Sequence, residues 1–317
     1  MTAWLTGRVF YLIAWAGIAL GCFSVRFMPR HWLFRFSDLL ANIGFYCFKG
    51  FRTRSTRNIA TVFGDQASGI GVEDLVRRSL RNFSRSCMEV AVALEVSDGE
   101  LRAWIPVVGS EHLDAALAKG AGVMVLSAHL GNFFLVGARL AVDGYAVSVL
   151  VNQPKDGRLA KLMDKYRLQV RQKTIHARPR REALKDLHHL MRCNEIVVMI
   201  SDEFRLGKGI EVPLFDRTVR ARRGPATVAM RTGAAIIPAC MIRQPDGTLK
   251  LVVEPELELD RSGKGSDQIK ENMIRITQWL ERTVLAYPDQ WNWMNIRGWT
   301  TQGTRETGTG EPVRQAM

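Results

Sequence analysis

The sequence predicts an α/β fold, a sheet covered by helices, preceded by an N-terminal hydrophobic anchor helix. Three observations carry that expectation. From about residue 105, short β-rich runs alternate with longer amphipathic stretches, the texture of helices laid on a sheet. The 317 residues are 47% hydrophobic and 24% charged, enough for one sizeable core with a small accessory part. Between Arg8 and Arg26 runs an uncharged stretch, Val9 to Val25, rich in Phe, Tyr, Leu, Ile, Trp and Ala.

As a helix, Val9 to Val25 covers about 25 Å, near the lower limit for crossing a hydrocarbon core of about 30 Å. A short membrane span, a monotopic anchor and a buried core helix all fit that length. Arg26, Arg30 and Arg35 follow it, as on a cytoplasmic flank. No small-x-small site follows the run, which argues against a cleaved signal peptide. Over residues 27–63, Trp32, Phe34, Phe36, Phe45, Tyr46, Phe48 and Phe51 alternate with Arg and Lys. A helix of this make-up either lies in a membrane interface or packs its aromatics on the main domain. Residues 73–96 place Leu75, Leu80, Phe83, Met88 and Val90 to Val92 near helical spacing.

Beyond residue 105 the β-rich runs are Gly122–Ser127, Ala146–Val151, Ile196–Ser201, Ala234–Arg243 and Leu249–Val253. Helices are predicted between them at 132–143, 157–172, 180–193 and 223–232, with another at 266–286 ended by Tyr287-Pro288. From Gln302 the chain is rich in Gly and Thr with little to bury, and is predicted to be disordered. The expected organisation is a membrane anchor helix at 1–30, a basic amphipathic helical segment at 31–104, an α/β domain at 105–300 and a flexible tail at 301–317.

The 44 Lys and Arg against 31 Asp and Glu give a net charge of +13, which favours anionic partners: nucleic acid, anionic lipid head groups or an acidic carrier protein. No zinc-finger spacing or RNA-recognition signature supports nucleic acid, and a membrane with an acidic carrier explains the charge as well. The five cysteines are scattered without a C-x-x-C pair, against a disulfide framework or zinc site and in keeping with a reducing compartment. A glycine-rich loop with Lys-Ser/Thr is absent, which disfavours a nucleotide enzyme.

The chemistry concentrates at Ser127-Ala128-His129-Leu130-Gly131-Asn132. His129 follows a predicted strand, and Gly131-Asn132 open the next amphipathic stretch, Asn being a good helix N-cap. Free backbone N–H groups at such a junction support an anion or a tetrahedral oxyanion. A histidine there takes the proton from a hydroxyl attacking a thioester, although a lone histidine after a strand is commonly structural. His31, His112, His176, His188 and His189 lack partner spacing, and adjacent His188 and His189 point apart on a helix, a poor metal pair.

Ser-Ala-His-Leu-Gly-Asn-Phe-Phe resembles the first motif of the lauroyl/myristoyl acyltransferases of lipid A biosynthesis, within the lysophospholipid acyltransferase superfamily. In chain order, Ser201-Asp202-Glu203 with Gly209 to Phe215, then Arg223-Gly224-Pro225-Ala226 with Met230 to Ala234 and Pro238, then Gln290-Trp291-Asn292-Trp293 are similar to that family's later blocks. The N-terminal stretch and the basic segment around Arg54 to Asn58 fit as well. The resemblance implies a glycerol-phosphate-acyltransferase-like fold with a central mixed sheet. It implies an acyl chain moved from an acyl carrier protein thioester, without a cofactor, to a hydroxyl of a membrane glycolipid at the cytoplasmic side of the inner membrane. It assigns His129 as general base and Asp202 as a functional acid. Gly131, Asn132 and Glu203 are candidate substrate-binding residues, and Arg167 or Arg171 a candidate holder of phosphate or carboxylate.

Three positions depart from the family pattern. Five residues past His129, where relatives carry an acid that orients the imidazole, stands Phe134; Phe204 and Asn295 differ as well. Two explanations follow for Phe134. Either Asp202 or Glu203 reaches His129 from the end of a neighbouring strand, or the chain keeps the fold and lipid groove without the reaction and acts as a membrane lipid-binding protein. Trp291, Trp293, Trp299 and Arg297 are candidates to border the groove, with core packing the alternative for the tryptophans.

Overall fold

The computed structural model describes residues 12, 15–17, 20–64, 71–154, 156–204, 207, 209–262, 265–296 and 299. After helical residues 20–27 come α1 (Arg30–Cys47), α2 (Lys49–Phe63) and α3 (Val72–Glu95). The α/β part then runs α4 (Asp98–Trp104), β1 (Val107–Val108), α5 (Ser110–Leu117), β2 (Val123–Ser127), α6 (Val136–Val142), β3 (Val147–Val151), α7 (Gly157–Gln169), β4 (Lys173–His176) and α8 (Arg180–Arg192). It ends with β5 (Ile196–Ile200), β6 (Ile210–Leu214), β7 (Arg217–Ala221), α9 (Gly224–Thr232), β8 (Ala235–Arg243), β9 (Leu249–Val253) and α10 (Gly265–Ala286).

Seven strands form one sheet in the order β1-β9-β8-β2-β5-β3-β4. Every neighbouring pair is parallel except β8 and β9, so the sheet is mixed, as the sequence led us to expect. The parallel pairs need long crossovers, which the helices supply; β8 and β9 are joined by a tight turn in which the Gln244 N–H donates to Thr248 O at 2.8 Å. Alternate residues of β2 feed two cores. Met124 and Leu126 join the layer built with α1–α3 and α8–α10, while Val123 and Val125 join the layer built with α4–α6. All nine residues of β8 are buried, which explains its nearly unbroken apolar run.

The six long helices and five strands foreseen from periodicity agree with the structure to within a few residues, except that 132–143 opens as a 3₁₀ turn at Phe133–Leu135 before α6. Periodicity missed α4, α5, β1, β4 and the two-stranded β6–β7 unit. β4 reads Lys-Thr-Ile-His, too short and polar to stand out. The β6–β7 turn is Phe215-Asp216, both at positive φ (51° and 55°), a conformation normally marked by Gly or Asn. A phenylalanine is held there because its N–H donates to Glu281 Oε2 at 2.8 Å and its ring packs 6.0 Å from that of Trp291.

Seven of the seventeen residues from Val9 to Val25 lie outside the described residues, as does the tail 301–317. Among the described residues no helix is long and apolar enough to cross a membrane, so the membrane-spanning form of the anchor finds no support here. α1 instead has two apolar faces. Leu33, Ala41 and Phe45 are buried against α3, whereas Trp32, Phe36, Leu39, Ile43 and Tyr46, spaced four and three residues apart, face outward.

Candidate active site

The register of the sheet assembles the site. β2 and β5 are adjacent and parallel with Ser127 opposite Ile200, so residues just past their C-terminal ends meet. His129 Nδ1 lies 2.6 Å from Asp202 Oδ1, and the His129 backbone N–H donates to Asp202 Oδ2 at 2.9 Å. Trp291 donates its indole N–H to the same Oδ2 at 2.7 Å, and the Asn295 amide approaches it at 3.4 Å. The Asp202 side chain is 1% exposed and that of His129 23%, an inner carboxylate behind an imidazole at the surface of a cavity. A carboxylate on Nδ1 fixes the ring proton there and leaves Nε2 as the proton acceptor.

The electrostatics follow from that geometry. Burial disfavours the imidazolium, but the charge of Asp202, its hydrogen bond and the charge of Glu203 outweigh burial and raise the His129 pKa above its ordinary value. Burial likewise opposes ionisation of Asp202, yet His129 together with the Trp291 and backbone hydrogen bonds holds its pKa below the ordinary carboxylate value.

His129 opens onto a groove of about 1980 Å³, larger than the few hundred to about a thousand Å³ common for small-ligand sites. Phe133 packs edge-on to the imidazole with ring centroids 4.7 Å apart, and Phe134 lies against Phe133 at 4.0 Å. Phe134 therefore contributes an apolar wall, together with α3 residues such as Met88, Ala91 and Leu94. Arg167 and Glu203 also line the groove. Arg167 pairs with Asp164 at 2.7 Å, and its burial lowers its pKa, which Asp164 partly offsets.

Three expected substrate contacts lie away from the groove. Gly131 and Asn132 are buried behind the histidine and do not line the groove. A Cβ on Gly131 would sit 1.8 Å from Met241 O, at a φ of +56°, so glycine is needed for backbone approach. Asn132 donates its side-chain amide to Glu89 Oε2 at 2.8 Å. The expected oxyanion donors are occupied as well: the Gly131 N–H donates to Gln290 O at 3.0 Å and the Asn132 N–H to Met241 O at 2.9 Å. Arg171 turns away after α7 and pairs with Asp98 at 2.5 Å. Trp291 and Trp293 are fully buried, so core packing, not a groove border, is their place; Trp299 donates to Asn58 Oδ1 at 3.2 Å, and Arg297 lies outside the described residues.

Comparison with known proteins fits this arrangement. The family model described as bacterial lipid A biosynthesis acyltransferase matches residues 4–300. The chain belongs to that family. Among its relatives, the phosphatidylinositol mannoside acyltransferase of Mycolicibacterium smegmatis is 26% identical over 244 residues, covering 74% of this chain and 76% of the relative. The corresponding protein of Mycobacterium tuberculosis is 27% identical over 230 residues, 71% of each chain. The lipid A biosynthesis palmitoleoyltransferase of Escherichia coli is 23% identical over 229 residues, again 71% of each.

In this lipid A biosynthesis-type acyltransferase the residues whose part sequence reasoning did not assign lie behind the histidine. The structure gives Trp291 and Asn295 a hydrogen-bonding part beside Asp202. Glu89 on α3 and Arg243 on β8 form a buried ion pair, with Arg243 Nη2 donating to Glu89 Oε2 at 3.0 Å and Arg243 Nε to Asn82 Oδ1 at 2.8 Å. The available signals were a tryptophan close to the chain's last aromatics and a lone acid in an apolar helix run, neither of which names its partner.

Proposed function

We propose that this acyltransferase moves a fatty acyl chain from an acyl carrier protein thioester to a hydroxyl of lipid A or a related membrane glycolipid, with His129 as general base. The observation that carries the reading is the His129–Asp202 pair at the wall of a large, mainly apolar groove. The acceptor hydroxyl gives its proton to Nε2 as its oxygen attacks the thioester carbonyl. The carbon–sulfur bond then breaks, and the imidazolium returns the proton to the leaving thiolate. Asp202 stabilises the imidazolium between the two transfers. Because Asp202 occupies Nδ1, the reaction does not depend on an acid at Phe134. The thioester is already activated, so no cofactor enters, and Arg167 is assigned to an anionic group of the bound substrate.

Attachment to the cytoplasmic face of the inner membrane is proposed through the outward apolar face of α1 and the helical residues before it. Phe27 is 74% exposed and Trp32 54%, and Arg26, Arg35 and Lys49 flank them. Such a surface lies in the plane of an anionic interface.

The test is acyl transfer by the full chain from an acyl carrier protein thioester to a lipid A-type glycolipid in vesicles. His129→Ala is expected to lower turnover on the order of 10²–10⁴-fold. Equal turnover in wild type and His129→Ala overturns the general-base assignment; co-purified lipid with no turnover in either identifies a lipid-binding protein instead.

A further inference from the structure

Asp202 is buried and, among the described residues, has no lysine or arginine partner; its ion-pair partner is His129. While that imidazole is neutral, the state from which the proposed reaction starts, the carboxylate charge rests on hydrogen-bond donors alone. The Trp291 indole N–H stands 2.7 Å from Oδ2, against 3.4 Å for the Asn295 amide. Burial of a tryptophan does not by itself require such a partner: the neighbouring Trp293 donates its indole N–H to the Pro288 carbonyl at 2.7 Å. A hydrogen bond to a charged acceptor is roughly twice as strong as one between neutral groups. The chain's last described segment holds the indole in place. Trp291 pairs with Leu130 as an antiparallel bridge, the Asn292 N–H donates to His129 O at 2.9 Å, and Ile296 pairs with Phe204. Asn58 of α2 ties the same segment down, donating to Trp293 O at 2.7 Å and to Ile296 O at 2.9 Å.

We infer that Trp291 is a positioning residue: its indole N–H compensates the buried Asp202 carboxylate, so that the His129–Asp202 pair holds one proton, on Nδ1, and Nε2 stays free to accept another. Without that donor the anion is less stabilised, and the pair takes up its second proton more readily. A doubly protonated pair has no base to offer. The other charged or titratable groups around the pair do not replace the indole. Glu203 lies 3.7 Å from Arg222 and adds negative charge near His129, and Glu89 of α3 is engaged by Arg243. Burial pushes the Cys240 thiol up to about 12 and that of Cys87 to about 11, so both stay neutral. The role of Trp291 rests on the acyl-transfer reading, and proton uptake measured without turnover separates the two.

Trp291→Phe leaves a void in a fully buried site, so the test replaces Trp291 with benzothienylalanine, which keeps the ring shape and puts sulfur where the N–H stands. Proton uptake by His129 is followed by nitrogen NMR of the full chain isotope-labelled in histidine, its signals identified by their loss in His129→Ala. The midpoint is expected to rise by about half a pH unit, a roughly threefold gain in proton affinity, with the melting temperature within a few degrees of wild type. In an Asp202→Ala background the same replacement is expected to leave the midpoint where it was, because the indole acts through the carboxylate. An unmoved or lowered midpoint in the otherwise wild-type chain, or equal movement in both backgrounds, overturns the proposal. Turnover then tests the reaction: the acid limb of kcat/KM is expected to move to higher pH by the same amount. A raised midpoint with an unmoved acid limb supports the positioning of Asp202 and overturns His129 as the base. A raised midpoint in a protein that transfers no acyl group supports the positioning and overturns the proposed reaction.

Discussion

At His129 the carboxylate of Asp202 favours the charged ring, while the proposed chemistry needs the neutral one. The His129 pKa is raised above 6.5, so activity is retained above that raised value and lost as pH falls through it. Asp202→Asn removes the charge that raises the pKa and leaves the burial that lowers it. The acid limb of kcat/KM is therefore expected to move to lower pH, with a plateau lower on the order of 10²–10⁴-fold because the imidazolium loses its counter-charge. Superimposable pH profiles for wild type and Asp202→Asn would show that the pair plays no part. In the same assay Phe134→Glu is expected to bring no gain, since the ring it replaces packs on Phe133 and Phe83 and the histidine already has a carboxylate. The candidate base was legible in the sequence because the motif names it. Its partner was legible only as one of two acids, because Asp202 lies 73 residues away and nothing local says which acid turns inward.

α1 shows the same limit for an element. Its residues are apolar on both sides, so hydrophobic pattern alone does not say which face meets the protein. α3 decides by contact: Ser37 Oγ and Ser84 Oγ lie 2.9 Å apart, and Arg85 grips Asp38 through two hydrogen bonds of 2.9 Å each. That fixes one face inward and leaves Trp32, Phe36, Leu39, Ile43 and Tyr46 outside. Phe36→Glu/Ile43→Glu is expected to release the protein from vesicles containing anionic lipid, while the melting temperature stays within a few degrees of wild type. Sedimentation with vesicles measures the first and thermal unfolding the second. Undiminished vesicle binding by this variant would mean that another surface carries attachment. Phe45→Ala, on the opposite face, is expected instead to cost about 3–5 kcal/mol of stability.

Across the whole molecule, α3 ties the helical N-terminal part to the sheet and to the chain's last described turns. Ser79 Oγ donates to Trp291 O at 2.6 Å, Asn82 to Asp289 O at 2.8 Å, and Ser86 Oγ to Gly131 O at 3.2 Å. The Glu89–Arg243 pair lies at the centre of this seam, with Asn132 joined to Glu89. Arg243→Met strands a buried carboxylate and is expected to lower unfolding free energy by about 3–5 kcal/mol in urea titration. Glu89→Met/Arg243→Met is expected to recover part of that loss, because no lone charge remains buried. A double variant no more stable than the single one would place the energy in packing and not in charge.

The sequence by itself determined the alternation of strands and helices, the family and the histidine around which the site is built. Those features are local: period two against period three or four, and a motif of consecutive residues. Only the tertiary structure decided that Asp202 and Trp291 stand behind His129, and that Gly131 and Asn132 support the loop without touching the groove. Strand order and register bring those residues together, and both are set by pairing across the sheet between segments tens of residues apart.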